Sequence, residues 1–176
     1  KTLTISGIIQ DNTNGATAIT QTGAGTGTLV LQGANTYSGG TLIDGWNVRT
    51  DHATGYGTGT VTVNPGGLAQ IWAPSPMTIA NNWVLNGQSG NTSYPTISHD
   101  GGGGDVTLSG NISVTAASTI GMGGATTNDI YLNGVISGSG DLSIDEANGG
   151  TNNTLIFNGA NTFTGNLSIT TGTVRL

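Results

Sequence analysis

Apolar and polar residues alternate along this chain in short runs, the pattern of half-buried strands and not of helices. Alternation predicts strands at Leu3–Ile5, Ala18–Thr20, Leu29–Leu31, Thr41–Ile43, Thr60–Val63, Leu68–Trp72, Val106–Leu108, Ile112–Val114 and Leu142–Ile144. Longer alternating stretches run over Ile79–Leu85 and Ile130–Ile136. Nowhere do apolar residues recur at helical spacing. The interval 51–105 is the least regular. Ala73-Pro74-Ser75-Pro76 predicts a loop, because proline cannot donate to a strand ladder. Asn86–Asp105 contains Tyr94-Pro95 and the run Gly101–Gly104. Protruding loops are therefore expected near 73–78 and 86–105.

One unit recurs. Gly33-Ala34-Asn35-Thr36-Tyr37-Ser38-Gly39 returns 126 residues later as Gly159-Ala160-Asn161-Thr162-Phe163-Thr164-Gly165, and the same offset still holds at Val48-Arg49 against Val174-Arg175. A repeated corner flanked by short apolar strands is what a solenoid needs, since one coil cannot bury its apolar side without another above it. At roughly 20 to 25 residues per coil, the chain would make about seven to nine coils. Stacked at ~4.8 Å, these form a rod on the order of 35 to 45 Å long. The whole of 1–176 reads as a single solenoid domain. Asn35 and Asn161 are expected to form a structural ladder, each corner amide bonded to equivalent amides in adjoining coils.

The stretch Leu29-Val30-Leu31-Gln32-Gly33-Ala34-Asn35-Thr36-Tyr37-Ser38-Gly39-Gly40-Thr41 resembles the passenger-associated repeat of bacterial autotransporters. Leu155–Leu176 repeats it. Ile5–Ile9 and Leu132–Gly138 are similar to the segment that precedes that repeat, and Thr60–Leu68 to the one that follows. The resemblance implies an all-β fold, a right-handed parallel β-helix, on a bacterial surface or secreted from it, used as a stalk, adhesin or fibre. It implies no catalytic residues.

Composition narrows the function. Charged residues are only 7% and Gly is 32 of 176. The β-branched residues in alternating runs argue against disorder, and the glycine is read as turn chemistry at positive φ. Net charge is −6, with Lys1, Arg49 and Arg175 the only Lys or Arg residues. That excludes nucleic acid, which needs several aligned cations, and gives no attraction to an anionic membrane. No stretch is long and apolar enough for a spanning helix, so no membrane insertion of this segment is expected. Cysteine is absent. The first and last residues already follow a strand pattern, as expected of a processed chain or a piece of a longer one.

Candidate chemistry is sparse, and no enzyme activity or cofactor is expected. Asp141, Asp145 and Glu146 are the clustered carboxylates, and a pair about 5 to 9 Å apart can cleave glycans. Neighbours on a strand point to opposite faces, however, so Asp145 and Glu146 do not pair. Asp100-Gly101-Gly102-Gly103-Gly104-Asp105 resembles a lone calcium-binding turn, but calcium β-rolls require repeats of it. His52 and His99 lack companions at ligand spacing, so no metal site is expected. Trp46, Trp72, Trp83 and Tyr94 are candidate glycan contacts, because exposed aromatic rings stack on sugars. Threonine pairs such as Thr58, Thr60 and Thr62 raise an ice-binding alternative, though their spacing is irregular.

The reading is an extracellular or cell-surface structural β-solenoid, acting as stalk, fibre or adhesin scaffold. A carbohydrate-binding or carbohydrate-active β-helix protein is the alternative. Partners would be a host or matrix glycan, or further copies stacked head to tail. In that case Lys1, Leu3 and Ile5 would meet Val174 and Leu176, because an uncovered sheet edge presents unpaired backbone groups.

Overall fold

Alternating strands bury their apolar sides by winding round a shared interior, and three parallel sheets result. The computed structural model describes residues 1–23, 25–91, 93–122, 127–146 and 153–176. The described residues contain nineteen strands and no helix, and the named strand pairs are all parallel. The first sheet has eight strands in the order β1 (Thr2–Ile5), β3 (Thr28–Leu31), β5 (Asn47–Thr50), β7 (Leu68–Ala73), β10 (Ile97–Gly102), β13 (Ser118–Met122), β16 (Leu142–Glu146) and β18 (Leu167–Ile169). The second has five: β8 (Met77–Ile79), β11 (Val106–Leu108), β14 (Ile130–Leu132), β17 (Thr154–Phe157) and β19 (Thr173–Arg175). The third has six: β2 (Ile19–Thr22), β4 (Thr41–Asp44), β6 (Val61–Val63), β9 (Trp83–Leu85), β12 (Ile112–Val114) and β15 (Ile136–Ser137).

Shared over three sides, these strands make a β-solenoid of about six turns, slightly fewer than the seven to nine expected. The difference lies in turn length and in the early corners. A turn is as short as 19 residues (Thr28 to Asn47) and as long as 29 (Trp83 to Ile112). In the first turns, moreover, corner segments and turns stand on the second side in place of strands.

Register gives the interior its columns. One inward column of the first sheet runs Leu3, Leu29, Val48, Ala69, Ile97, Ile120, Ile144, Ile169, apolar at every level. The third sheet contributes Ile19, Thr41, Val61, Trp83, Ile112 and Ile136. Because each level shares its apolar side with the level above and below, burial is continuous, and Leu31, Ile43, Val63, Leu85, Leu108 and Leu132 are fully buried.

The loops are narrower than expected. Met77–Ile79 and Ile97–Gly102 are strands, so among the described residues the irregular stretches shrink to 74–76, 86–91, 93–96 and 103–105. The Gly101–Gly104 run is a close approach: a Cβ on Gly102 would stand 1.8 Å from the Ala73 carbonyl oxygen, and one on Gly104 1.9 Å from the Ser75 carbonyl carbon. Only glycine lets this level pass over the Pro74–Pro76 segment. A second glycine column works the same way without positive φ. A Cβ on Gly134 would meet the Gly110 carbonyl oxygen at 2.0 Å, and one on Gly159 the Gly134 oxygen at 2.1 Å. Turn chemistry therefore accounts for only part of the glycine. The rest is contact between levels.

A second inward column of the first sheet runs Ile5, Leu31, Thr50, Ile71, His99, Met122, Glu146. His99 is fully buried there, with Nε2 3.2 Å from the Gly101 carbonyl and no partner for Nδ1. Burial lowers its pKa, against a smaller upward pull from the Gly101 carbonyl and the Asp105 charge. An unfolded histidine takes up its proton near pH ~6.5 while the folded one resists. Stability is therefore full above that value and falls as pH drops from it towards the lower folded pKa. Thermal melts of the chain should show a downward step in Tm on acidifying through this window, and the step should vanish in His99→Gln. An equal step in both proteins would refute the assignment.

Candidate functional site

The repeated corner makes sense residue by residue. From Gly33 the chain runs extended, so Gly33, Asn35 and Tyr37 point inward while Gln32, Ala34, Thr36 and Ser38 face out. Gly33 is pressed on the Gly7 carbonyl, where a Cβ would come within 2.2 Å of the oxygen. Asn35 Oδ1 accepts from Ile9 N at 2.8 Å in the coil below, and Nδ2 donates to the Gly55 carbonyl at 2.7 Å in the coil above. Tyr37 fills the interior, its hydroxyl 2.6 Å from Thr41 Oγ1, and burial raises its pKa to about 12. Tyr56 does the same one level on, with Oη 2.9 and 2.7 Å from the carbonyls of Val48 and Gln70. The second copy keeps the phase: Asn161 Oδ1 accepts from Ile136 N at 2.8 Å.

Both asparagines thus tie coils together, but through backbone groups and not through stacked amides. Because corner residues equivalent to Asn35 are not amides in the adjacent coils, the amide's partners are the peptide groups left free there. The side-chain ladder lies at another corner. Asn64 Nδ2 donates to Asp44 Oδ1 at 3.0 Å, Asn86 Nδ2 to Asn64 Oδ1 at 2.8 Å, and Thr115 Oγ1 to Asn86 Oδ1 at 2.6 Å. A shorter one joins Asn158 Nδ2 to Asn133 Oδ1 at 2.9 Å. A sequence signal is present: each of these residues directly follows a buried apolar residue at or beside the end of a strand, namely Ile43, Val63, Leu85, Val114, Leu132 or Phe157.

The aromatic candidates separate. Trp83 is a correction: it is 1% exposed and packs edge-on to Tyr56, ring centres 5.6 Å apart, so it is interior filling and cannot contact a glycan. It shares the inward phase of Leu85, two residues on. Trp72 is 40% exposed, with the Arg49 guanidinium 5.3 Å from its ring centre. Trp46 and Tyr94 are half-buried and line one groove on the outer face of the first sheet.

The carboxylates are tied into the stack. Asp141 Oδ1 accepts from Asn166 N at 2.8 Å, and Asp145 Oδ1 from Thr171 Oγ1 at 2.7 Å. Glu146 turns the other way, its Oε1 buried, and burial followed by the Asp145 charge raises its pKa. Asp100 accepts from Gln70 Nε2 and Ser98 Oγ, while Asp105 Oδ1 accepts from Asp129 N at 2.9 Å. His52 Nδ1 accepts from Thr54 N at 3.1 Å. Among the described residues no three His, Asp or Glu side chains converge.

At one end of the stack, Lys1 precedes β1 and Leu3 lies on it; both are exposed, Leu3 at 63%, and among the described residues β1 pairs with β3 alone. At the other end Leu176 is 91% exposed, beside half-buried Val174. Ile5 is also half-buried.

Comparison with known proteins bears on the repeat. The passenger-associated-transport-repeat family matches residues 19–45 and 150–176, the two stretches that contain or overlap the Asn35 and Asn161 corners. No curated protein and no solved structure matches the chain. The chain carries the passenger-associated transport repeat twice, and its parallel stack is consistent with the autotransporter passenger family to which those repeats point.

Proposed function

We propose that this chain is a structural segment of an autotransporter passenger, a rod held at the bacterial surface or released from it, that serves as stalk or adhesin scaffold. One observation carries the reading: the conspicuous polar side chains bond to neighbouring levels of the rod. Asn35, Asn64, Asn86, Asp141, Asp145 and Asn161 all do so. Such side chains are committed to holding pitch and not to chemistry. A family whose repeats accompany exported passengers supports the extracellular setting. Stacking of copies through Lys1, Leu3 and Ile5 against Val174 and Leu176 would extend the same design into a fibre, because parallel edges pair by continuing the ladder.

A stalk is defined by length and not by any single level. The turn from Ile112 to Val135 is a natural cassette, since Ile112 pairs with Ile136. With the chain displayed from an outer-membrane translocator, three tandem copies of that turn in place of one should add two levels. Reach should lengthen by about 10 Å, measured by atomic force microscopy, with display unchanged. Loss of display, or unchanged reach with normal display, would refute a spacer role.

A further inference from the structure

The outer face of the first sheet carries a groove of about 370 Å³ that the stalk reading does not use. Its walls include Trp46, Asn47, Arg49, Gln70, Asn91 and Tyr94. Asn47 and Arg49 point outward from β5 because Val48 and Thr50 take the inward positions. Trp46 precedes them at the corner, and the 86–96 loop brings Asn91 and Tyr94 across from two levels on.

Asn47 is the telling residue. It is 8% exposed. Its Nδ2 donates to Gln70 Oε1 at 2.7 Å and to Thr28 Oγ1 at 3.4 Å, which uses both protons. Its Oδ1 is buried in the groove wall with no donor. A buried acceptor left unmatched costs about 1 to 3 kcal/mol, and a small turn of this amide at the groove wall would let a donor from outside relieve it.

Charge says what kind of donor. Arg49 is the groove's one cation, and it is already held by Asp51, with Nε 2.6 Å from Oδ1 and Nη2 2.8 Å from Oδ2. The remaining polar walls are amides and hydroxyls, and the whole chain carries −6. An anion would find no free cation and a general repulsion. Neutral hydroxyls suit the amides, and two aromatic side chains suit the C–H faces of a sugar ring. The volume lies within the range of small-molecule sites. A second hollow of about 270 Å³, lined by Gln88, Thr119 and Asp145, shares Asn91 and Tyr94 with the first. A ligand long enough to cross Tyr94 would occupy both.

We propose that this groove binds an uncharged oligosaccharide, with Trp46 and Tyr94 against sugar faces and Asn47 Oδ1 accepting from a sugar hydroxyl. The rod then bears a recognition site on its flank, independent of its role as a spacer.

The test is titration of the purified chain, followed by tryptophan fluorescence and calorimetry, with cellohexaose, maltohexaose and chitohexaose, and with hexagalacturonate as the anionic comparator. At least one neutral hexamer should bind. Trp46→Ala and Tyr94→Ala should each weaken that binding by about tenfold, with melting temperature measured alongside because both residues are half-exposed and not interior. Asn47→Leu, which fills the same place without an acceptor, should weaken it comparably. Failure of all three neutral hexamers at about 10 mM, binding of hexagalacturonate alone, or affinity unchanged in both aromatic variants would each overturn the proposal.

Discussion

Trp83→Ala is expected to cost about 3 to 5 kcal/mol, the range for emptying a buried large aromatic site. The indole sits in the column between Val61 and Ile112, with its ring edge-on to Tyr56 at 5.6 Å. Both neighbours are strand-bound, so the interior cannot close on the vacancy. Because a solenoid is held level by level, the damage should be local before it is global. Denaturant unfolding followed by hydrogen exchange should show lost protection first in β6, β9 and β12. Trp83→Phe should cost less than about 1.5 kcal/mol: it keeps an aromatic neighbour for Tyr56 and removes an indole N–H that has no partner. Equal losses in the two variants would refute ring volume as the cause.

The second large effect is expected at Asn35. Alanine there strands the Ile9 amide and leaves the Gly55 carbonyl only the longer 3.5 Å bond from the Tyr37 hydroxyl. At about 1 to 3 kcal/mol for the unmatched amide and about 1 kcal/mol more for the bond lost at the carbonyl, the loss should be on the order of 2 to 4 kcal/mol. Asn161→Ala is the internal comparison. Its residue is half-exposed and forms one described bond across levels, to Ile136 N, so about 1 kcal/mol is expected. The same motif should therefore differ severalfold in cost according to how many levels surround it. Hydrogen exchange at Ile9 and Thr36 reads the first variant, and exchange at Ile136 the second. Equal destabilisation would indicate that the amide acts through local turn geometry alone.

Much of the architecture was legible in the sequence. The period-two alternation located most strands, and the copy 126 residues apart disclosed stacking before any coordinate. Several strands escaped, Met77–Ile79 and Asn47–Thr50 among them, and two did so for a clear physical reason. Ile97–Gly102 and Ser118–Met122 are buried on both faces over much of their length, so small and polar residues replace the usual outward set and alternation fades. Proline and glycine nearby then looked like loop. Trp83 was misplaced because its residue type was weighed above its phase with Leu85. The groove was half visible. Trp46 and Tyr94 stood out as aromatics, but nothing in spacing told that a loop returns Tyr94 to the level of Asn47, since that contact depends on two intervening turns.

The ladder Asp44, Asn64, Asn86, Thr115 stands at the corner from which the 86–96 loop departs. Clamping the chain just before it leaves the rod uncouples what happens outside from the threading within. At this corner a segment can be lengthened, exchanged or reshaped while every later strand still arrives in phase. New specificities are thus cheapest to acquire along this one edge, and variation among kindred rods should gather there.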